Sequence, residues 1–258
     1  MICGLVAGEV AMDRARVIRV RAAIAALAEG RAPSVADVCL ACVRMTGADG
    51  ASVSLMGTVA AYEPIYGTGA RAEALTDLQV MVGEGPGVEA IGQDRSVLVP
   101  ALDATGIQRR WPLFAPQATE LGVAAVFAFP LMLGAIAVGV LEVHWREWLP
   151  AGEPVADGLL FAQAALVPAT LLRLRLPNDG TPVRDADELV ERWPEVHQAT
   201  GIISVQINSG LPEALARLRA YAYSHEITLR EAAHRVVDRT LRFTPDGEEH
   251  RGLGTGDR

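Results

Sequence analysis

From Leu121 to Leu141 the chain carries no charged side chain, a run of 21 residues. A helix of that length and composition could cross a bilayer. Pro130 stands in the middle of the run, glycines occupy 122, 134 and 139, and no basic residue lies close to either end. A spanning helix would be broken by the first and left unanchored by the last. The same hydropathy is met by two strands, 123–129 and 135–144, joined at Gly134 and buried on both faces of a sheet. A sheet so buried needs helices on either side.

The flanking sequence supplies them. A helix is predicted over Arg14 to Ala28, and another after Ser34, with Asp37 three residues on as its capping partner. Ala51 to Met56 and Ser96 to Val99 read as strands. The Gly-rich stretch from Tyr66 to Asp77 reads as strand ends and loop. Gln79 to Val82 reads as a strand, followed by a tight turn and a helix opened by Pro86. The mixed order of elements implies an antiparallel sheet flanked by helices. A last helix, Gly158 to Arg175, is apolar at Leu159, Ala162, Leu166, Ala169 and Leu172, a candidate dimer contact with Pro168 as a kink.

At 258 residues, half of them hydrophobic, the chain has room for two compact domains. Its net charge of −8 excludes a protein that coats nucleic acid by bulk phosphate neutralisation, so any such partner needs a local site. Three cysteines, Cys3, Cys39 and Cys42, are too few for a disulfide framework and fit a reducing cytoplasm. Asp13, Arg14 and Arg16 interrupt any leader-like apolar stretch, so neither a signal peptide nor a membrane partner is expected. Cys39 and Cys42 have the spacing of a redox or metal pair. Without a second ligand pair they read as small apolar residues on the inner side of a helix.

After a linker at 177–186, with two prolines, Asn178, Asp179 and Gly180, the composition changes to three short helices. Pro194 opens the first, whose buried stripe is Val196, Ala199, Thr200, Ile203 and Ile207, with Gln198, Gly201 and Val205 on the other face. A glycine inside a helix costs about 1 kcal/mol against alanine, so Gly201 answers either to a neighbouring helix or to close approach of a ligand. The second helix follows Ser209 to Pro212 and buries Ala214, Leu215, Leu218 and Ala222. The third opens on a Thr228/Glu231 capping box and buries Leu229, Ala232, Ala233, Val236 and Thr240. Arg217, Arg219, Arg230, Arg235, Arg239 and Arg242 lie outside or at the edges. Three helices bury little surface alone and need a dimer partner or support from the preceding domain.

The run from Glu195 to Gln206, with Glu213 to Ala222, resembles the ANTAR family of three-helix RNA-binding modules that regulate transcription termination. Val82-Gly83-Glu84-Gly85-Pro86, Trp111 to Phe114, and 122–131 resemble a GAF domain. The combination resembles the actinobacterial GAF-ANTAR regulators. It implies an α+β GAF sensor at 1–176, an antiparallel sheet flanked by helices, then an all-α ANTAR domain at 187–243 and a disordered tail at 244–258. Gly87 stands where related domains carry a cysteine after Gly-Pro, which removes thiol sensing at that turn.

The resemblance implies a cytoplasmic, homodimeric antitermination regulator that binds RNA stem-loops and is not an enzyme, with no cofactor and no metal. Gln198, Ala199, Gly201 and Gln206 are carried over as loop contacts, and Arg217, Arg219 and Arg230 as phosphate or stacking contacts. GAF domains bind small molecules between the sheet and its covering helices, and Tyr62, Tyr66, Trp111, Phe114 and His144 are the candidate lining. The alternatives are a ligand-responsive DNA-binding factor and a GAF-type redox enzyme using Cys39 or Cys42. Acidic side chains on the third helix count against the first, and the apolar setting of the thiols against the second.

Overall fold

The computed structural model describes residues 14–57, 63–147, 153–175, 194–245 and 249–251. In chain order the elements are α1 (Arg14–Ala28), α2 (Val35–Thr46), β1 (Gly50–Leu55), β2 (Glu63–Gly67), α3 (Ala70–Val82), α4 (Pro86–Gly92), β3 (Val97–Val99), α5 (Thr105–Arg110), α6 (Phe114–Glu120), β4 (Ala125–Leu133), β5 (Ile136–Trp145) and α7 (Glu153–Arg175). There follow α8 (Pro194–Ile207), α9 (Leu211–Ser224), α10 (Leu229–Val237), β6 (Leu241–Phe243) and β7 (Glu249–Arg251). Tyr62, the linker and the first thirteen residues lie outside the described residues.

The uncharged run forms β4 and β5, paired antiparallel from Ala125↔Trp145 to Leu133↔Ile136 and turned at Gly134 with φ of 66°. Both are interior strands of an antiparallel sheet ordered β2-β1-β5-β4-β3. Alternation splits their side chains between two cores. Phe127, Phe129, Leu141 and Val143 pack with α1, α2 and α7 on one face, whereas Val126, Ala128 and Val140 join the other, apolar toward α4 and α6.

The capping box opening α2 is complete: Ser34 Oγ accepts from the Asp37 amide at 3.2 Å, and Asp37 accepts from the Ser34 amide at 2.8 Å. Burial alone would raise the Asp37 carboxyl. The hydrogen bonds from Arg31 and Ser34 outweigh it and hold the group at about 2.

Two expected boundaries change. Gln79 to Val82 is the last turn of α3, not a strand, and much of the expected loop before it is helix too. A four-residue apolar run has no period of its own, and here it continues the buried side set by Ala72, Leu75 and Thr76 until Gly83, at φ of 72°, ends the helix. The expected disordered tail contains β7, which pairs with β6 from Leu241↔Arg251 to Phe243↔Glu249 and helps fold Leu241 and Phe243 onto α8 and α10.

The stripe assigned to a dimer contact on α7 mostly faces inward. Ala162 and Ala169 are buried, and Leu166 and Leu172 are packed on the core. Among the described side chains of that helix, the exposed apolar ones are Leu159, Val167 and Leu171. α7 is also the one described helix long and apolar enough to cross a membrane, and its inner side packs on the sheet and α2.

The C-terminal helices bury the stripes expected of them: Val196, Ala199, Thr200, Ile203 and Ile207 in α8, Ala214, Leu215, Leu218 and Ala222 in α9, Leu229, Ala232, Ala233 and Val236 in α10. Thr240 falls beyond the end of α10 and is exposed. Thr228 Oγ1 accepts from the Glu231 amide at 3.1 Å, while the Glu231 carboxylate holds Arg235 at 2.6 Å. The module does not stand alone. α9 rests on α3, and one apolar cluster runs from Leu75 and Val80 of α3 into Leu218, Tyr221 and Leu229, with Leu78, Met81 and Val82 packed against it.

Candidate nucleic-acid interface and sensor cluster

On α8 the residues at 198, 201 and 205 share one face by their three- and four-residue spacing. Gln198 is exposed, and Val205 is 82% exposed. A Cβ built on Gly201 would meet no atom within 4 Å outside the helix's own backbone. Packing therefore does not require glycine there. The contrast is Gly158 in α7, where a Cβ would stand 2.2 Å from Phe129.

Beside this face, Ile202, Gln206, Val236, Arg239, Leu241, Arg242 and Phe243 line an open groove of about 800 Å³. Gln206 Oε1 accepts from the Phe243 amide at 2.9 Å, so Gln206 ties β6 to α8 and forms the groove wall. Arg239 and Arg242 are exposed at its rim. They were visible in the sequence as edge arginines, but only the β6 hairpin brings them beside α8.

The other carried-over positions separate. Ala199 is fully buried and cannot touch a ligand in this arrangement, because it belongs to the stripe that holds α8 in place. Arg217 is half-buried with Glu213 at 3.3 Å, and Arg230 is exposed at the start of α10. Arg219 lies on the side of α9 that meets the first domain, where a Cβ on Gly83 would stand 3.2 Å from its Nη1. Burial lowers its pKa, and its Nε is buried without a hydrogen-bond partner.

The expected ligand lining is not assembled. Tyr66 pairs with Val53 on the sheet face toward α1, α2 and α7. Trp111 and Phe114 meet edge to face at 6.1 Å in the opposite core, near α5 and α6. His144, on that second face, sits instead among polar groups that periodicity alone did not single out. Ser52, Ser54 and Glu142 project from β1 and β5 onto the same face, under Thr76 and Gln79 of α3, and all are buried.

Gln79 Nε2 donates to both oxygens of Glu142 at 2.8 and 3.0 Å, while its Oε1 accepts from the Gly87 amide at 2.8 Å. Thr76 Oγ1 lies 3.1 Å from Ser52 Oγ. Ser54 Oγ and His144 Nε2 are buried with no partner, and burial pushes the imidazole down to about 4, so it is neutral. The sequence signal was there: serine, serine and glutamate at alternate positions of otherwise apolar strands. The Val-Gly-Glu-Gly-Pro turn braces this cluster. Glu84 Oε1 accepts from the Leu113 and Phe114 amides at 2.6 and 2.9 Å, and a Cβ on Gly85 would strike Gln79 at 2.5 Å.

Cys39 and Cys42 are fully buried in α2, and desolvation drives both thiols upward from their ordinary range. Neither is a nucleophile in this state. Among the described residues no group of three or more His, Cys, Asp or Glu is placed to hold a metal.

No protein-family model and no curated protein matches the sequence. Solved structures similar to this chain include several GAF domains. One, from an Acinetobacter phosphoenolpyruvate-protein phosphotransferase, is 12% identical with a TM-score of 0.48, over 65% of this chain and all of that one. Its counterpart from Coxiella burnetii is 16% identical with a TM-score of 0.46, over 61% of this chain and 96% of that one. The GAF-B domain of DevS from Mycobacterium smegmatis is 16% identical with a TM-score of 0.37, over 54% of this chain and 93% of that one.

Proposed function

We propose that this chain is a cytoplasmic, signal-responsive regulator in which a GAF-type sensor controls an ANTAR-type module that binds RNA stem-loops and favours transcription antitermination. It works by binding and not by covalent chemistry. The observation that carries this reading is Gly201, an open glycine in mid-helix that packing among the described residues does not use. A partner that comes within contact distance of the backbone does use it.

RNA loops suit that face. Their unpaired bases can stack on the apolar Val205 and Ile202 and hydrogen-bond to Gln198, while Arg239, Arg242 and Arg230 hold phosphates. A DNA reader would present the outer face of α10, where Glu231 and Asp238 are exposed and would meet phosphates with the wrong charge. In the sensor, the Ser52–Ser54–Glu142–His144–Gln79 cluster is the site for a small polar signal molecule, since its two unpartnered buried atoms offer hydrogen bonds that none of the described residues takes up. A homodimer belongs to the reading, with exposed Val167 and Leu171 of α7 and Ile18 of α1 as its contact.

The test is a gel shift of the full-length protein on short RNA stem-loops, the same hairpins with scrambled loops, and the matching DNA, repeated with Gly201→Trp. Loop-dependent RNA binding that the variant loses supports the reading. Equal binding to DNA, or an unaffected variant, refutes it.

A further inference from the structure

The contact between α9 and α3 places a guanidinium where it is poorly satisfied. Arg219 is one of the arginines that the RNA reading assigns to phosphate or base, yet it points at the first domain and is half-buried there, with its Nε fully covered. Its neighbour is Gly83, the residue that ends α3 in the left-handed conformation. The carbonyl end of a helix attracts a cation, which explains why the arginine settles there. The attraction is incomplete, because Nε is buried without a partner, and burial is the single cause that shifts the group. Tertiary packing thus holds Arg219 in a place its own chemistry does not favour.

Around it the interface carries the shared apolar cluster, edged by the half-buried Leu78, Met81 and Val82, and a contact of His197 Nε2 with Glu63 Oε1 at 3.3 Å. α3 also carries Thr76 and Gln79, whose side chains enter the buried polar cluster on the sheet. One helix therefore touches both the sensor cluster and the half-buried arginine.

Resting on the RNA reading above, we propose that the docked arrangement is the weak-binding state: α3 withholds Arg219 from RNA, and separation of α9 from α3 returns that guanidinium to the RNA-binding surface. The signal then acts by release. Gln198 and Val205 stay exposed and Gly201 keeps open space beside it in the docked state, so docking lowers affinity without abolishing recognition.

A charge swap at Gly83 in the full-length protein tests this. Gly83→Lys and Gly83→Glu impose the same strain of a left-handed non-glycine residue, but one repels Arg219 and the other pairs with it. Two quantities are read: the rate at which phenylglyoxal modifies Arg219, followed by peptide mass spectrometry with exposed Arg242 as internal standard, and affinity for a stem-loop RNA. In the wild type Arg219 reacts several-fold more slowly than Arg242. Gly83→Lys speeds its modification and tightens RNA binding roughly tenfold, a typical size for coupling between sites, and Gly83→Glu moves both the other way. Adding Arg219→Ala to Gly83→Lys removes the gain.

Loop-dependent binding that shifts in the same direction in both Gly83 variants, or that ignores Arg219's exposure, overturns this proposal and leaves the RNA reading intact. Modification rates that split as expected while no protein binds RNA refute the RNA reading, and this one with it.

Discussion

Replacing Gly201 with alanine separates a glycine kept for a partner from one kept for the fold. In α8 the added methyl meets no neighbour within 4 Å, so the substitution gains the helix preference of alanine, about 1 kcal/mol, with nothing set against it. The reference is Gly158→Ala in α7. There the methyl would overlap the Phe129 ring, at 2.2 Å from Cε2, and either ring or helix must move. Overpacking of that kind costs roughly 1–3 kcal/mol, more than the helix preference returns. Urea unfolding of full-length wild type and both variants reads the two signs directly. Gly201→Ala shifts the midpoint up and Gly158→Ala shifts it down, with m unchanged. The same Gly201→Ala protein is then titrated with the stem-loop RNA. If a base or sugar lies against that backbone, the more stable variant binds several-fold more weakly. A Gly201→Ala protein that is destabilised would mean the helix is packed differently. One that is stabilised and binds RNA unchanged would refute the idea that the glycine serves a partner.

Three further outcomes follow from the same geometry. The unfolded chain protonates the His144 imidazole near pH 6.5, whereas the folded core keeps it neutral down to about 4, so stability is full above that window and falls as pH drops through it. The loss is of order 3 kcal/mol at its limit, and His144→Gln flattens that part of a pH series of urea midpoints. Cys39 and Cys42 resist a thiol reagent in the native protein and react on unfolding in urea; fast native labelling would contradict their burial. Arg239→Ala and Arg242→Ala each weaken RNA binding across loop sequences and lower the salt dependence by about one unit of slope, with little change in the urea midpoint. A loss confined to one loop sequence would assign them to base reading instead.

Much of this molecule was legible from local pattern. The uncharged run with Pro130 and Gly134 read as a buried hairpin, because a mid-run proline, three glycines and the lack of flanking basic residues disfavour a spanning helix and water disfavours an exposed apolar strand pair. The stripes of α8, α9 and α10 followed from helical spacing, and Ser34 and Asp37 announced their cap, since each of these signals acts within a few residues. What periodicity could not decide was whatever depends on the partner across a gap in the chain. The run Gln79 to Val82 became helix because the residues before it were already helical and packed on the sheet. Tyr66 and His144, both plausible pocket residues by type, were placed on opposite faces by strand parity. Serines 52 and 54 and Glu142 became one cluster only when β1 and β5 paired. Arg219 and Arg242 look alike in sequence, each on or beside a short amphipathic element, yet docking on α3 half-buries the first and the β6 hairpin displays the second. A residue's local preference is a property of its neighbours along the chain, whereas its exposure is a property of the whole packed body. Only the tertiary structure could therefore say which arginine is open to solvent, and that Gly201 faces open space.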